Sequence, residues 1–155
     1  MFEIKGKIEF DPINVSRKHN AQSSWKRTAM VRFDCEMFLY YAWFLERRFG
    51  LKLNQPLRGT HITIISDIID DNIYRQARDI FNKSEIKIQY DPTIIRSNGT
   101  HWWMKAHCDD GRNIRSAMGL TPDPYFGFHL TIGLANERNL DHSKYIIDVC
   151  KKYDV

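Results

Sequence analysis

Two six-residue stretches constrain this chain more than any other feature: GTHITI from Gly59 to Ile64, and GFHLTI from Gly127 to Ile132. Each interleaves a Gly, a His and a Thr with strand-forming residues, and β-branched residues at this density belong to strands. Successive side chains of a strand point to opposite faces, so His61 and Thr63 share one face while Ile62 and Ile64 share the other. His129 and Thr131 are related in the same way. The chain therefore has two strands that each turn one apolar face to a core and present an imidazole beside a hydroxyl on the other. His19, His101, His107 and His142 show no such repeat.

The rest of the chain surrounds these strands with both kinds of element. The alternation of Phe2, Ile4, Ile8 and Phe10 with Glu3, Lys5, Lys7 and Glu9 predicts a first strand, closed by Pro12, with Gly6 as a bulge. Residues 13–27 lack periodicity and read as a long polar loop around Trp25. From Asp34 as N-cap to Gly50 as C-cap, the spacing of Phe38, Tyr41, Leu45 and Phe49 predicts a helix. A second helix is expected from Asp70 or Asp71, with Ile73, Ala77 and Ile80 along its apolar face. EIKIQY at 85–90 alternates, and Asn98-Gly99 is a turn signal between two further strand-like runs. Asp109 or Asp110 is expected to cap a short helix ending at Gly119. The loop TPDPYFG leads into the second motif. A last helix, capped by Asp141, would bury Ile146, Val149, Cys150 and Tyr153. Strands mixed with helices, and a motif that recurs once, predict a single α+β domain over residues 1–155, built of two similar lobes whose antiparallel sheets line a central cleft, with helices outside.

Composition narrows the context. With 155 residues, 43% of them hydrophobic and 27% charged, the chain is of ordinary size and make-up for one soluble domain. A net charge of +4 favours an anionic partner, with basic clusters at Arg17, Lys18 and His19, at Lys26 and Arg27, and at Arg47 and Arg48. Cys35, Cys108 and Cys150 are odd in number and far apart, which predicts neither a disulfide framework nor a thiolate zinc site and fits a reducing cytoplasm. No run is long and apolar enough to span a bilayer, the N-terminus is not a secretory block, and no membrane or obligate protein partner is expected.

Two imidazoles and two hydroxyls brought to one point suit acid–base chemistry on a phosphate. An imidazole has an ordinary pKa of about 6.5, so one ring can accept a proton while its neighbour donates one. Positioned proton transfer of this kind accelerates a reaction by roughly 10²–10⁴-fold. A Thr hydroxyl beside each ring can donate to the nonbridging oxygens as their charge grows. No metal or other cofactor is needed for this chemistry.

These residues resemble the 2H phosphoesterases, a family named for two His-x-Thr/Ser motifs on paired strands of a two-lobed α+β fold. The resemblance covers most of the chain in its order of elements, and its specific content is the two motifs. It implies that His61, Thr63, His129 and Thr131 are catalytic, and that the substrate is a 2′,3′-cyclic phosphate, a 2′-5′ linkage in RNA or oligoadenylate, or a cyclic signalling nucleotide, cleaved without metal. The small size and the long helix before the first motif are most similar to the phage anti-CBASS branch, which degrades cyclic di- and trinucleotides in the host cytoplasm. One departure is visible: many RNA-end processing members carry a basic residue soon after the second motif, and here Gly133, Leu134 and Ala135 precede Arg138.

A nucleotide also needs a stacking surface. Trp103, which shares a strand face with His101 and Lys105, is one candidate; Tyr125 and Phe126, in the loop before the second motif, and Trp25 are the others. Lys105 and Arg58 are candidate phosphate partners. Two rival classes remain. One is a nucleotide- or RNA-binding module in which the histidines only grip phosphate, although Arg or Lys would hold charge more constantly. The other is a zinc enzyme using His101, His107 and Cys108, a set that lacks a fourth ligand.

Overall fold

A computed structural model of the chain describes residues 1–12, 27–33, 36–54, 56 and 59–135. Trp25, Arg58, the Asp34 cap and the helix after Asp141 lie outside these residues. The described elements are β1 (Phe2–Phe10), β2 (Ala29–Arg32), α1 (Glu36–Phe49), β3 (Leu53–Asn54), β4 (His61–Ile65), α2 (Asp71–Phe81), β5 (Glu85–Ser97), β6 (His101–His107), α3 (Asp109–Ala117) and β7 (His129–Ala135). The class is α+β. All seven strands belong to one antiparallel sheet in the order β3-β7-β6-β5-β1-β2-β4, rather than to separate sheets of two lobes. The sheet curls: β4 at one end comes back beside β7, next to the other end. No helix among the described residues is long and apolar enough to cross a membrane.

Each strand buries one face. Ile8, Val31, Ile62, Ile64, Ile88, Met104 and Leu130 are almost fully buried. The alternate positions carry charge and pair across strands, Lys5 with Glu85 at 3.1 Å and Lys87 with Glu3 at 3.4 Å. Gly6 is not a bulge. β1 pairs in unbroken register on both sides, and a Cβ at Gly6 would stand 2.6 Å from Val31 Cγ1 and 2.7 Å from the Arg32 carbonyl oxygen, so glycine is required by the close approach of β2. The two runs expected on either side of residues 91–93 are one strand, β5, with an irregularity between Tyr90 and Ile94. Pro92 sits there, where its missing N–H costs no ladder bond. Asn98 and Gly99 both have positive φ, 52° and 72°, as the central residues of a type I′ turn demand, and the Thr100 amide donates to the Ser97 carbonyl at 3.3 Å within the three-residue connection between the paired Ser97 and His101.

The helices cover the apolar face. α1 buries Phe38, Leu45 and Phe49, with Phe49 stacked on Trp102 at 5.4 Å. α2 is capped by Asp70, whose carboxylate accepts from the Asn72 and Ile73 amides. Its buried residues are Tyr74 and Ala77; Ile73 and Ile80, expected on the inner face, are exposed. The two stripes fit helical spacing equally well. The inner one is the stripe whose Tyr74 hydroxyl donates to the Asp11 carboxylate and lies 3.1 Å from the Thr28 carbonyl. The cap of α3 is Cys108 rather than either aspartate: its Sγ accepts from the Gly111 amide at 3.2 Å. Asp109 and Asp110 fall in the first turn, where their charge suits the helix dipole.

One buried cation ties the first motif to the loop that leads to the second. Arg115, at the end of α3, has no exposed side-chain surface and forms a two-pronged bridge to Asp67, at 2.7 and 3.2 Å. It also donates to the Ile64 carbonyl, at the end of β4, and to the Thr121 carbonyl, in the loop leading to β7. The Arg115 hydrogen bonds hold the Asp67 carboxyl below the usual carboxylate range, against the opposing effect of burial.

Candidate functional site

Both motif strands turn the expected faces. Ile62, Ile64, Leu130 and Ile132 are buried, while His61, Thr63, His129 and Thr131 are half-buried on the opposite face. The glycine two residues before each His has a physical reason. Gly59 has φ of +71° and Gly127 of +68°, in the left-handed region, with open space around each Cβ position. This turns each glycine carbonyl toward the following imidazole: His61 Nδ1 lies 2.7 Å from the Gly59 oxygen, and His129 Nδ1 lies 3.1 Å from that of Gly127. A carbonyl oxygen only accepts, so Nδ1 carries the proton in both rings and the neutral imidazole keeps its acceptor lone pair on Nε2. The two copies are alike in backbone, tautomer and exposure.

A cavity of about 520 Å³ opens beside the second motif, lined by Ser97, Asn98, His101, Trp103, Phe126 and His129. β6 supplies its floor. Trp103 pairs with Thr131 in register, its indole stands edge-on to the His129 ring at 5.8 Å, and its Nε1–H donates to Ser97 Oγ at the hairpin end. Phe126 forms one wall, 80% exposed. Its neighbour Tyr125 packs against it edge-to-face at 4.8 Å without lining the cavity. Lys105 pairs with His129 in register but points to solvent and does not line the cavity. His61 and Thr63 do not line it either. They lie on β4, which the curl of the sheet brings beside β7.

His101 is the site residue that repetition of the motif does not reveal. Its Nε2 lies 3.0 Å from Thr131 Oγ1, and its ring is edge-to-face with His129 at 6.1 Å. Burial, and then the neighbouring His129, push its pKa below the ordinary 6.5, favouring the neutral ring. The sequence signal was period two: His101 shares the strand face of Trp103. The zinc set is not assembled. His107 bridges to Asp109 at 2.9 Å, and the Cys108 thiol is buried in the core, where burial pushes its pKa up to about 11. Among the described residues no three His, Cys, Asp or Glu side chains converge as a metal site.

Compared with known proteins, the chain matches no family model, no curated protein and no solved structure.

Proposed function

We propose that this protein is a 2H-type phosphodiesterase that opens cyclic di- or trinucleotides by acid–base catalysis between His61 and His129, without a metal. The observation that carries the reading is the twin geometry of the motifs: each Nδ1–H is tied to the carbonyl of a positive-φ glycine, which leaves Nε2 to accept or donate the catalytic proton. The two lobes would be the two halves of the one curled sheet, meeting where β4 and β7 approach. One His takes a proton from water or a ribose hydroxyl as it attacks phosphorus. The other returns a proton to the leaving oxygen, and Thr63 and Thr131 donate to the nonbridging oxygens. Trp103 and Phe126 flank the cavity at His129 as base-stacking surfaces. Such an enzyme would work in the cytoplasm, in an anti-CBASS role if phage-encoded.

The test is a digest in chelator of two substrates side by side, a cyclic di- or trinucleotide and a short RNA ending in a 2′,3′-cyclic phosphate, with His61→Ala and His129→Ala as controls. Opening of the cyclic oligonucleotide, lost in both variants, is expected, with a bell-shaped pH dependence of kcat/KM. Cleavage of the RNA end alone would move the protein to RNA processing.

A second reading is favoured by one observation. The imidazole that shares the cavity with His129 is His101, not His61, and a nucleotide-binding module would need no partner across the sheet. Binding without turnover, with the His61→Ala affinity unchanged, would establish it.

A further inference from the structure

The two motifs match at glycine and histidine and differ at threonine. Thr131 Oγ1 has the His101 Nε2 at 3.0 Å, whereas Thr63 has no comparable side-chain partner among the described residues. A hydroxyl has one proton and rotates freely unless something holds it. A neighbour that accepts that proton removes Thr131 as a donor to phosphate. A neighbour that donates to Oγ1 occupies a lone pair and leaves the proton to point elsewhere. His101 lies in the wall of the cavity, close both to Thr131 and to the ring of His129, and no step of the phosphodiester mechanism uses it.

We propose that His101 is a positioning residue whose Nε2–H donates to Thr131 Oγ1 and so turns the Thr131 hydroxyl proton toward the phosphate. The inference rests on the phosphodiesterase reading, in which Thr131 is a phosphate donor. It makes the two halves of the site unequal: Thr131 is ordered before substrate arrives, whereas Thr63 has no such side-chain partner among the described residues. The neutral ring favoured at this position has one proton to place, and the proposal puts it on Nε2. That is the opposite tautomer to the one the glycine carbonyls impose on His61 and His129.

Two measurements test it, one of them independent of activity. In ¹⁵N-imidazole NMR of the whole protein at pH 8, His101 should appear as the Nε2–H tautomer, against Nδ1–H for His61 and His129; an Nδ1–H signal from His101 overturns the proposal. In kinetics on whichever diester the wild type cleaves, His101→Leu should lower kcat about tenfold, the equivalent of one neutral hydrogen bond, with KM little changed. His101→Gln, which keeps an N–H near the Nε2 position, should restore most of that loss. Adding His101→Leu to Thr131→Val should cost nothing more, because the effect passes through the hydroxyl. A further tenfold loss in the Thr131→Val background would mean that His101 acts directly or only structurally, and would overturn the proposal. A wild type that cleaves no diester removes the phosphodiesterase reading and this inference with it, whereas an active wild type with additive losses removes this inference alone.

Discussion

Among single residues, the glycine before each histidine carries the sharpest consequence. Gly127 has nothing within 4 Å of its Cβ position, so a substitution there meets no clash and only the positive φ resists it. For an L-residue that conformation costs roughly 1–2 kcal/mol, and asparagine tolerates it better than alanine or valine. Gly127→Val should therefore lose stability of that order in urea titrations, and should also lower kcat, because a relaxed backbone withdraws the carbonyl that fixes the His129 tautomer. Gly127→Asn should retain more of both. Equal losses for Asn and Val would separate the glycine from the tautomer. The repeat singles out His61, Thr63, His129 and Thr131 in the sequence as candidates, since two copies of one pattern on strands are hard to explain by packing alone. His101 occurs once. Only its tertiary neighbour Thr131, on a different strand, gives it meaning, and strand neighbours are not written in local sequence.

At the scale of elements, period-two and period-3.6 patterns identified β1, β4, β7, the β5–β6 hairpin and all three described helices. They did not announce β2 or β3, with four and two residues, because alternation over so short a run has no statistical weight. They also misplaced the inner face of α2, because two apolar stripes compete there and the choice was made by the Tyr74 hydroxyl bonding 63 residues away to Asp11. The element contact with most at stake is the one Arg115 makes. Arg115→Leu should cost on the order of 3 kcal/mol, since it orphans the carbonyls of Ile64 and Thr121 along with the Asp67 carboxylate. The urea midpoint measures this. Asp67 has a depressed folded-state pKa, so its contribution is complete above the ordinary value of 3.8 and is lost as pH falls through the lower, folded-state value. The wild type should thus lose stability as pH falls below about 4 more steeply than Asp67→Asn. Parallel acid titrations of the two would sink this account if they superimposed.

In the molecule as a whole, β4 and β7 stand near opposite ends of the strand order and yet come side by side. That arrangement bears on how the site comes into being. β4 and β7 cannot come together until the intervening strands are hydrogen-bonded and curled, and pairing between residues distant in sequence is the slow part of folding. Fragments cut within the turn at Lys83, between α2 and β5, should each be inactive alone, because each holds one motif. When mixed they should regain turnover only if the β1–β5 ladder re-forms across the cut. On the phosphodiesterase reading such a centre would have no half-built precursor: in refolding, turnover should return with the last kinetic phase, after the tryptophans have reached their native fluorescence.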